Sequence, residues 1–468
     1  MPVFEHSATY PHPRSEVFAW HERPGAFIRL TPPGSAIPVH QATDGIRTGS
    51  RVEVRLSSPL VFALWPGGSP PGPSMLIEHT AYEPDVGFVD EQVRGPLASW
   101  RHEHRFADAP GGGTTVTDRV TYELPAALQR GAHRRVHRYL EGLFRFREEQ
   151  LRADLELHAR LMGPRPQVVA VSGASGMIGT QLCALLTTGG HTVRRLVRRP
   201  AVAADEISWD PVLGDLDPAH LAGVDAVVNL SGRTIGGRFT EQTKQEILWS
   251  RVDSTTTIAA AIDAARREGG GPRALVQASA VGYYGARRPG EVLEESSASG
   301  QDFLADVVRR WEAAAERVTE HEVRLVKLRT GIVLSASGGA LARQLPLYLL
   351  GVGGRLTRPQ AIQSWISLDD MARVYASAVL DAAWTGPINA VAPHPVSSGA
   401  FATRLGQVLQ RPSVVPTPGF GPLLVVGREG ARELVHTDQW VSSAKLESLG
   451  FRYGQPDLTT ALRHVLAR

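Results

Sequence analysis

One stretch constrains this chain more than any other: Val168-Val169-Ala170-Val171-Ser172-Gly173-Ala174-Ser175-Gly176-Met177-Ile178-Gly179. A short apolar, β-branched run leads straight into glycines spaced G-x-x-G-x-x-G. Behind them Ile178, Leu182, Leu185 and Leu186 fall on one helical face, and Gly189-Gly190 ends the pattern. Strand, glycine turn and helix in that order form the phosphate-binding entry of a dinucleotide fold. The glycines serve a tight turn, close backbone approach to a pyrophosphate, and close helix–strand packing. The new helix then points free N–H groups at the anion. In a chain with 47 glycines the spacing alone says little; the strand before it and the helix after it carry the weight. The expected cradle is Gly173, Ser175, Gly176, Met177, Ile178 and Gly179.

The pattern around this turn alternates strand and helix, as a parallel sheet covered on both faces requires. Strands are expected at residues 168–171, 192–197, 207–209, 226–230, 274–279 and 323–328, with helices between them, notably at 254–265 and 302–320. This reads as an α/β doubly wound parallel sheet of Rossmann type, with ligands at the carboxyl ends of its strands. Residues 1–162 read differently. Strand patterns at 3–10, 75–82, 86–93, 98–106 and 114–123 join a short helix at 14–20, and Val52, Val54 and Leu56 alternate as in a half-buried strand. Gly111-Gly112-Gly113 suits a hairpin turn, and the pattern after Pro125 is helical to about Leu161. A curved antiparallel sheet gripping a long helix, an α+β arrangement, is expected. Gly163-Pro164-Arg165-Pro166 breaks the helix, so 163–167 is a stiff linker.

A length of 468 residues agrees with two or three domains. No apolar run approaches the roughly 20 residues of a membrane span. The first residues carry no basic region followed by an apolar core, so no signal peptide is expected. The single cysteine, Cys183, excludes an intrachain disulfide and reads as a small packed residue, and a cytoplasmic location is expected. Formal net charge is +3, with only three lysines, Lys244, Lys327 and Lys445. The densest basic stretch runs from Arg130 to Arg147. It lacks an aromatic stacking platform, so it reads as the solvated face of a helix, and no nucleic-acid partner is expected.

The end of the second parallel strand bears on cofactor choice. An NAD-preferring site places Asp or Glu about 20 residues past the glycines, for the ribose 2′-hydroxyl. Here the sequence is Arg194-Arg195-Leu196-Val197-Arg198-Arg199-Pro200, with no acid before Asp205. An arginine fork suits a 2′-phosphate, so NADP is expected, with Arg198 as first choice and Arg199 as second.

From Val168 onward the chain resembles the short-chain dehydrogenase/reductase superfamily, and within it the atypical sugar-nucleotide epimerase-like family. The resemblance rests on Trp209-Asp210-Pro211, Val224-Asp225-Ala226-Val227-Val228-Asn229-Leu230-Ser231-Gly232, Ser250-Arg251-Val252, Ser279-Ala280-Val281-Gly282-Tyr283-Tyr284-Gly285, Arg329-Thr330-Gly331 and Trp365-Ile366-Ser367-Leu368-Asp369-Asp370. It implies that Leu230, Ser231 and Gly232 line the dinucleotide and that Asp210 lies near its adenine. It also implies a dinucleotide-binding unit at 168–410 and a small C-terminal module of the substrate lobe at 411–468, joined by an insertion near 338–359. Arg251, grouped with the cofactor residues, and Arg329 read either as partners of an anionic substrate or cofactor phosphate or as buried ion-pair residues. The first 162 residues resemble the START-like (SRPBCC, polyketide cyclase/dehydrase-like) helix-grip superfamily through Glu78-His79-Thr80, Phe88 to Pro96, Trp100 to Phe106 and Thr117 to Tyr122. That resemblance implies a cavity for a hydrophobic ligand. His102 and His104 share a strand face, but no third or fourth ligand is evident, so no metal is expected.

Most members of the dehydrogenase superfamily pair a tyrosine with a lysine four residues later. Thr240, Val323 and Val441 precede the three lysines by that spacing, so the pair is absent. Ser279, at the end of the fifth parallel strand, and Tyr284 are the remaining catalytic candidates, the first to orient a substrate oxygen and the second to relay a proton. Packing is the competing reading of Tyr284. Asp369 and Asp370 read as a helix N-cap rather than general bases. The leading functional expectation is an NADP-dependent reductase or epimerase acting on a small carbonyl or hydroxyl substrate, possibly a nucleotide sugar. The competing one is a non-enzymatic NADP-binding sensor or scaffold.

Overall fold

The computed structural model describes residues 1–40, 44–57, 72–126, 129–413 and 426–468. Part of the expected C-terminal module, residues 414–425, therefore lies outside the described residues. The chain opens with β1 (Val3–Tyr10), α1 (Arg14–Glu22), α2 (Ala26–Arg29), β2 (Ala36–His40), β3 (Arg51–Leu56), β4 (Ser74–Glu83), β5 (Gly87–Arg94), β6 (Ser99–Ala109), β7 (Gly113–Glu123) and α3 (Gln129–Arg160). The seven strands form one antiparallel sheet in the order β1-β7-β6-β5-β4-β3-β2. Alternation along each strand turns one face toward α1 and α3. One apolar cluster there joins Tyr10, Phe18, Phe106 and Val116 to Leu151 and Leu155 of α3. A second joins Phe4, Val120 and Tyr122 to Leu140 and Phe144. Between these clusters the inner face is crossed by His79, Asp90, His102, His104 and Asp118. A cavity there, of about 20 Å³, touches His6, Tyr10, His21, His104 and Asp118. It has room for about one water.

The second half comprises β8 (Val168–Ser172), α4 (Met177–Thr188), β9 (Thr192–Val197), β10 (Glu206–Ser208), β11 (Ala226–Asn229), α5 (Glu241–Arg267), β12 (Ala274–Ala280), β13 (Arg287–Leu293), α6 (Phe303–Ala315), β14 (Arg324–Thr330), β15 (Ile332–Leu334), α7 (Gly339–Leu349), β16 (Ile362–Gln363), β17 (Trp365–Ser367), α8 (Leu368–Leu380), β18 (Gly386–Ala390), β19 (Val396–Ser397), α9 (Ser398–Leu409), β20 (Asp438–Val441), α10 (Ala444–Ser448) and α11 (Leu458–Val465). Its main sheet has the order β10-β9-β8-β11-β12-β14-β18, and every pairing is parallel. The strands are apolar on both faces because helices cover both. Val169, Val171, Val228, Val276 and Val326 meet α4 and α8 on one side. Ala170, Val227, Leu275 and Leu325 meet α5 on the other. Strand order reverses between β8 and β11, which opens a crevice at their carboxyl ends.

The segments that follow the carboxyl ends of β12, β14 and β18 build the smaller pieces. There β13 pairs with β20, β15 with β17, and β16 with β19. Helices α7, α9 and α11 share one cluster, with Leu341, Leu345, Phe401, Leu405 and Leu462 buried together. Ser367, rather than Asp369 or Asp370, caps α8: its backbone is extended and its hydroxyl accepts from the Asp370 amide at 3.0 Å. The two aspartates lie in the first helical turn, where buried arginines hold them.

That arginine network joins the two halves. Asp154 of α3 accepts from Arg29 Nε and Nη2, both at 2.8 Å, and from Arg373 of α8 at 3.3 Å. Arg29 also reaches Asp369 at 2.9 Å and Gln181 of α4 at 2.7 Å. Arg373 bonds Asp370, and His464 of α11 bonds Asp369 and Glu149. Asp154 and Arg29 are both 0% exposed. Burial opposes ionisation of Asp369, but Arg29 and His464 hold its carboxyl below the usual range. Among the described residues no helix is long and apolar enough to cross a membrane.

Candidate functional site

The glycine turn sits between the end of β8 and the start of α4. Gly173 has φ +67°, and a Cβ there would stand 2.9 Å from the Leu230 backbone. Gly179 has no room either: a Cβ would lie 2.2 Å from the Gly173 carbonyl oxygen. The turn closes through a Gly176 N–H to Gly173 carbonyl bond of 2.9 Å. Gly176 is the N-cap of α4 and offers no side chain to the helix, so the Met177 and Ile178 amides at the helix start are uncapped. Ser175 and Gly176 are exposed, and Gly179 is buried. These glycines form a cradle that side chains would fill, with helix N–H groups facing out of it. A dinucleotide pyrophosphate fits that donor set.

Below the turn lies a buried polar layer that the sequence reading missed. Ser172 donates to Asn229 Oδ1 at 2.6 Å, and the Leu230 and Ser231 amides donate to Ser172 Oγ and Asn229 Oδ1. Asn229 Nδ2 in turn donates to Thr255 and to Gln277, at 3.0 Å each. Ser172 and Asn229, the last residues of β8 and β11, thus interlock with Gln277 inside β12, which sets the Leu230-Ser231-Gly232 loop against Gly173. The available signal was a lone polar residue at the end of each apolar run.

The arginines after β9 part company. Arg199 donates to both carboxylate oxygens of Glu206, at 2.8 and 2.7 Å, and Arg199 holds the Glu206 carboxyl down at about 2. Arg195 is likewise taken, by Asp205 at 2.8 and 3.1 Å. Arg198 is exposed and has no ion-pair partner among the described residues. Arg199, the second choice, is engaged by Glu206. Asp210 caps its own turn, accepting from the Val212 and Leu213 amides at 2.8 and 3.2 Å. Arg251 lies against Gly232, its guanidinium 5.1 Å from the Trp311 ring centroid. Among the described residues it donates to the Arg233 and Ile247 carbonyls and pairs with no carboxylate, and desolvation pulls it down to about 10. It is half-buried and lies beside the loop that lines the turn.

Arg329 takes the other of the two readings. It forms a buried bidentate pair with Glu312, at 2.9 and 3.0 Å. The same network consumes both catalytic candidates. The Ser279 hydroxyl donates to Glu312 Oε1 at 2.6 Å. The Tyr284 hydroxyl donates to Asn389 Oδ1 at 2.7 Å and accepts from Arg329 at 3.1 Å. Tyr284 is 0% exposed, and burial pushes its phenol up to about 12. The structure brings Ser279 and Tyr284 together through Glu312 and Arg329, and turns both hydroxyls into the core. The serine hydroxyl is spent on α6, while its neighbour Ala280 is the partly exposed residue at the strand end. Among the described residues, the start of α6 carries Phe303 and no tyrosine or lysine. Lys244 of α5 lies 5.3 Å from the Phe303 ring centroid but is bound to Glu429 at 2.8 Å. A packing role for Tyr284 has a measurable consequence. Tyr284→Phe is expected to lower stability by about 1–3 kcal/mol, by leaving Asn389 Oδ1 and one Arg329 N–H without their partner, while NADPH affinity stays unchanged. Denaturant unfolding beside a binding titration checks both halves.

Comparison with known proteins agrees with this geometry. A model of the NAD dependent epimerase/dehydratase family matches residues 169–306, and a model of a domain of unknown function (DUF1731) matches 417–465. An epimerase family protein of Mycobacterium tuberculosis is 37% identical over 302 residues, which cover 64% of this chain and 98% of that protein. The human epimerase family protein SDR39U1 is 33% identical over 302 residues, 64% of this chain and 99% of its own length. The crystal structure of the Corynebacterium glutamicum nucleoside-diphosphate sugar epimerase superposes with a TM-score of 0.79 at 32% identity, covering 99% of this chain and 90% of that one. Human SDR39U1 (isoform 2), solved with NADPH, superposes with a TM-score of 0.58 at 32% identity over 64% of this chain and 99% of its own. With a Rossmann-like parallel sheet, a glycine turn at its switch point and relatives matched over nearly their whole length, the chain belongs to the NAD-dependent epimerase/dehydratase family.

Proposed function

We propose that the protein binds NADP(H) over the glycine turn and acts as a reductase or epimerase on a small carbonyl or hydroxyl substrate. The uncapped start of α4 behind the Gly173–Gly179 cradle carries this reading. Arg198 holds the 2′-phosphate, and the turn amides with Arg251 hold the pyrophosphate side. When bound, the nicotinamide supplies or accepts the hydride. Because Ser279 and Tyr284 are spent in the core, the proton of such a reaction is exchanged with solvent at the crevice. NADPH in human SDR39U1 supports the cofactor choice, and the name of the Corynebacterium relative supports nucleotide sugars as a substrate class to test. The domain assignment belongs to the same proposal: a START-like helix-grip unit at 1–162, a linker at 163–167, the dinucleotide unit at 168–410 and the module at 411–468. The seven-stranded antiparallel sheet with α3 across it supports the first of these.

A second reading, an NADP-binding sensor without turnover, is favoured by one observation: both candidate hydroxyls are locked in buried hydrogen bonds. Titrating NADPH into the protein, then following its absorbance with a carbonyl library and the conversion of nucleotide sugars to their epimers by NMR, separates the two. NADPH consumption or epimer formation with any substrate supports the enzyme; tight binding with neither supports the sensor; no binding of either dinucleotide defeats both. Arg198→Ala is expected to weaken NADPH by about 10–100-fold, the value of a charge-assisted phosphate contact, and NADH by less than about threefold. Equal losses would move the 2′-phosphate away from Arg198.

A further inference from the structure

The polar stripe on the inner face of the antiparallel sheet has a definite geometry. Strand register sets His79, Asp90 and His102 side by side on β4, β5 and β6, and sets His104 beside Asp118 across β6 and β7. Asp90, His102 and His104 are all buried, and their ligating atoms lie within 4.8 Å of one another. Asp90 Oδ2 stands 3.2 Å from His102 Nδ1 and 3.4 Å from His104 Nε2. A tetrahedral zinc ion with bonds of about 2.0–2.1 Å has ligand-to-ligand edges of roughly 3.3 Å. The two edges from Asp90 are therefore already those of a metal's coordination shell, and the third is within 4.8 Å.

The surroundings complete the pattern. The other ring nitrogen of each histidine stands near a second carboxylate: His102 Nε2 is hydrogen-bonded to Asp118 Oδ1 at 3.0 Å, and His104 Nδ1 is 2.7 Å from the same oxygen without hydrogen-bond alignment. Carboxylates behind metal-bound histidines set the tautomer and aim the free lone pair at the ion. Trp100 Nε1 lies 3.3 Å from Asp90 Oδ1, which orients that carboxylate too. Beside Asp90, on the next strand, His79 is 9% exposed and its Nδ1 has no hydrogen-bond partner. The ring centroids of His102 and His104 are 3.8 Å apart. Apolar clusters flank the stripe on both sides, and within it the carboxylates and imidazoles offset one another's burial.

We propose that Asp90, His102 and His104 bind one divalent transition-metal ion of the zinc class inside the antiparallel sheet. Asp118 is a positioning residue, hydrogen-bonded to His102 and beside His104, and three protein donors leave a fourth position for water or an exchangeable ligand. The site is separate from the glycine turn and stands or falls without the dinucleotide reading.

The test uses the full chain, stripped with a chelator and titrated with Co²⁺, then with Zn²⁺. One equivalent of Co²⁺ giving the visible bands of a four-coordinate site, displaced by Zn²⁺, is expected. Asp90→Asn and His104→Ala should each abolish that spectrum while far-ultraviolet circular dichroism is retained. Asp118→Asn should keep the stoichiometry and weaken binding about 10–100-fold. X-ray absorption of the zinc-loaded wild type, expected to show two imidazoles per zinc, keeps the proposal open to refutation if a variant fails to fold. A wild type that takes up no stoichiometric metal, binding that survives Asp90→Asn and His104→Ala, or a zinc shell without two imidazoles would each overturn it and leave the stripe as an ion-pair quartet.

Discussion

Asparagine in place of Asp154 is expected to lower the unfolding free energy by about 3–5 kcal/mol, the cost of removing one partner from a buried ion pair. Asp154 is fully buried and receives two hydrogen bonds from Arg29 and two from Arg373, which are themselves inaccessible to water. The substitution keeps the shape of the side chain and removes the charge that makes both guanidiniums tolerable there. It also places an amide N–H₂ among five arginine and glutamine donors that need acceptors. Arg29 would retain Asp369, and Arg373 would retain Asp370, but each then has more donors than acceptors. The control is Asp306→Asn, whose partners Arg309 and Arg310 are exposed, where a change of no more than about 1 kcal/mol is expected. Equilibrium unfolding in urea compares the two midpoints. Similar small shifts in both would mean that the junction network contributes nothing special.

Gly179→Ala is expected to cost about 100-fold or more in dinucleotide affinity, with a smaller loss of stability. The added Cβ would meet the Gly173 carbonyl at 2.2 Å, the Ala174 Cα at 2.8 Å and its carbonyl carbon at 3.0 Å. All three are backbone atoms of the turn itself, so no side chain can swing aside to make room. Restoring ordinary contact of about 3.4 Å moves the turn or the first helical residues by about 1 Å, the scale of misplacement that costs about 100-fold at a preorganised site. Fluorescence titration with NADPH, read beside a thermal melt, checks the claim. Unaltered affinity in a folded variant would place the cofactor elsewhere.

How much of this was legible in the sequence depends on the range of the interactions involved. Six of the seven parallel strands were legible: the central ones as continuous apolar runs, because a strand buried on both faces is one, and β9 and β10 at the sheet edge as short apolar segments interrupted by charge. Strand β18 escaped because it opens on Gly386-Pro387, residues that ordinarily argue against a strand. Helix α5 begins at Glu241 rather than near Ser254 because its first turns are polar and depend on the Thr240 cap. Site residues were harder. Arg198 and Arg199 are equivalent in sequence; Glu206, aligned through β10 beside β9, takes Arg199 and leaves Arg198 free. The fate of Tyr284 was set by Asn389, a residue 105 positions away, and the partner that turns His102 and His104 into a cluster, Asp90, came from strand register. Patterns of period two or 3.6 announce elements; which polar side chains meet is decided by packing between elements.

Helix α3 has a consequence for how the chain can be divided. Its early turns pack on the antiparallel sheet, while Leu157 enters the core of the parallel sheet and His158 bonds the Leu185 carbonyl of α4 at 3.0 Å. Relatives such as human SDR39U1, 99% spanned by 302 aligned residues, have no length left for a unit of this size. In this chain the extra unit is a graft rather than an appendage: cutting at the linker would strand Asp369, Asp370 and Arg373 without Arg29 and Asp154. Arg29 also bonds Gln181 of α4, so the same network reaches the helix that follows the glycine turn.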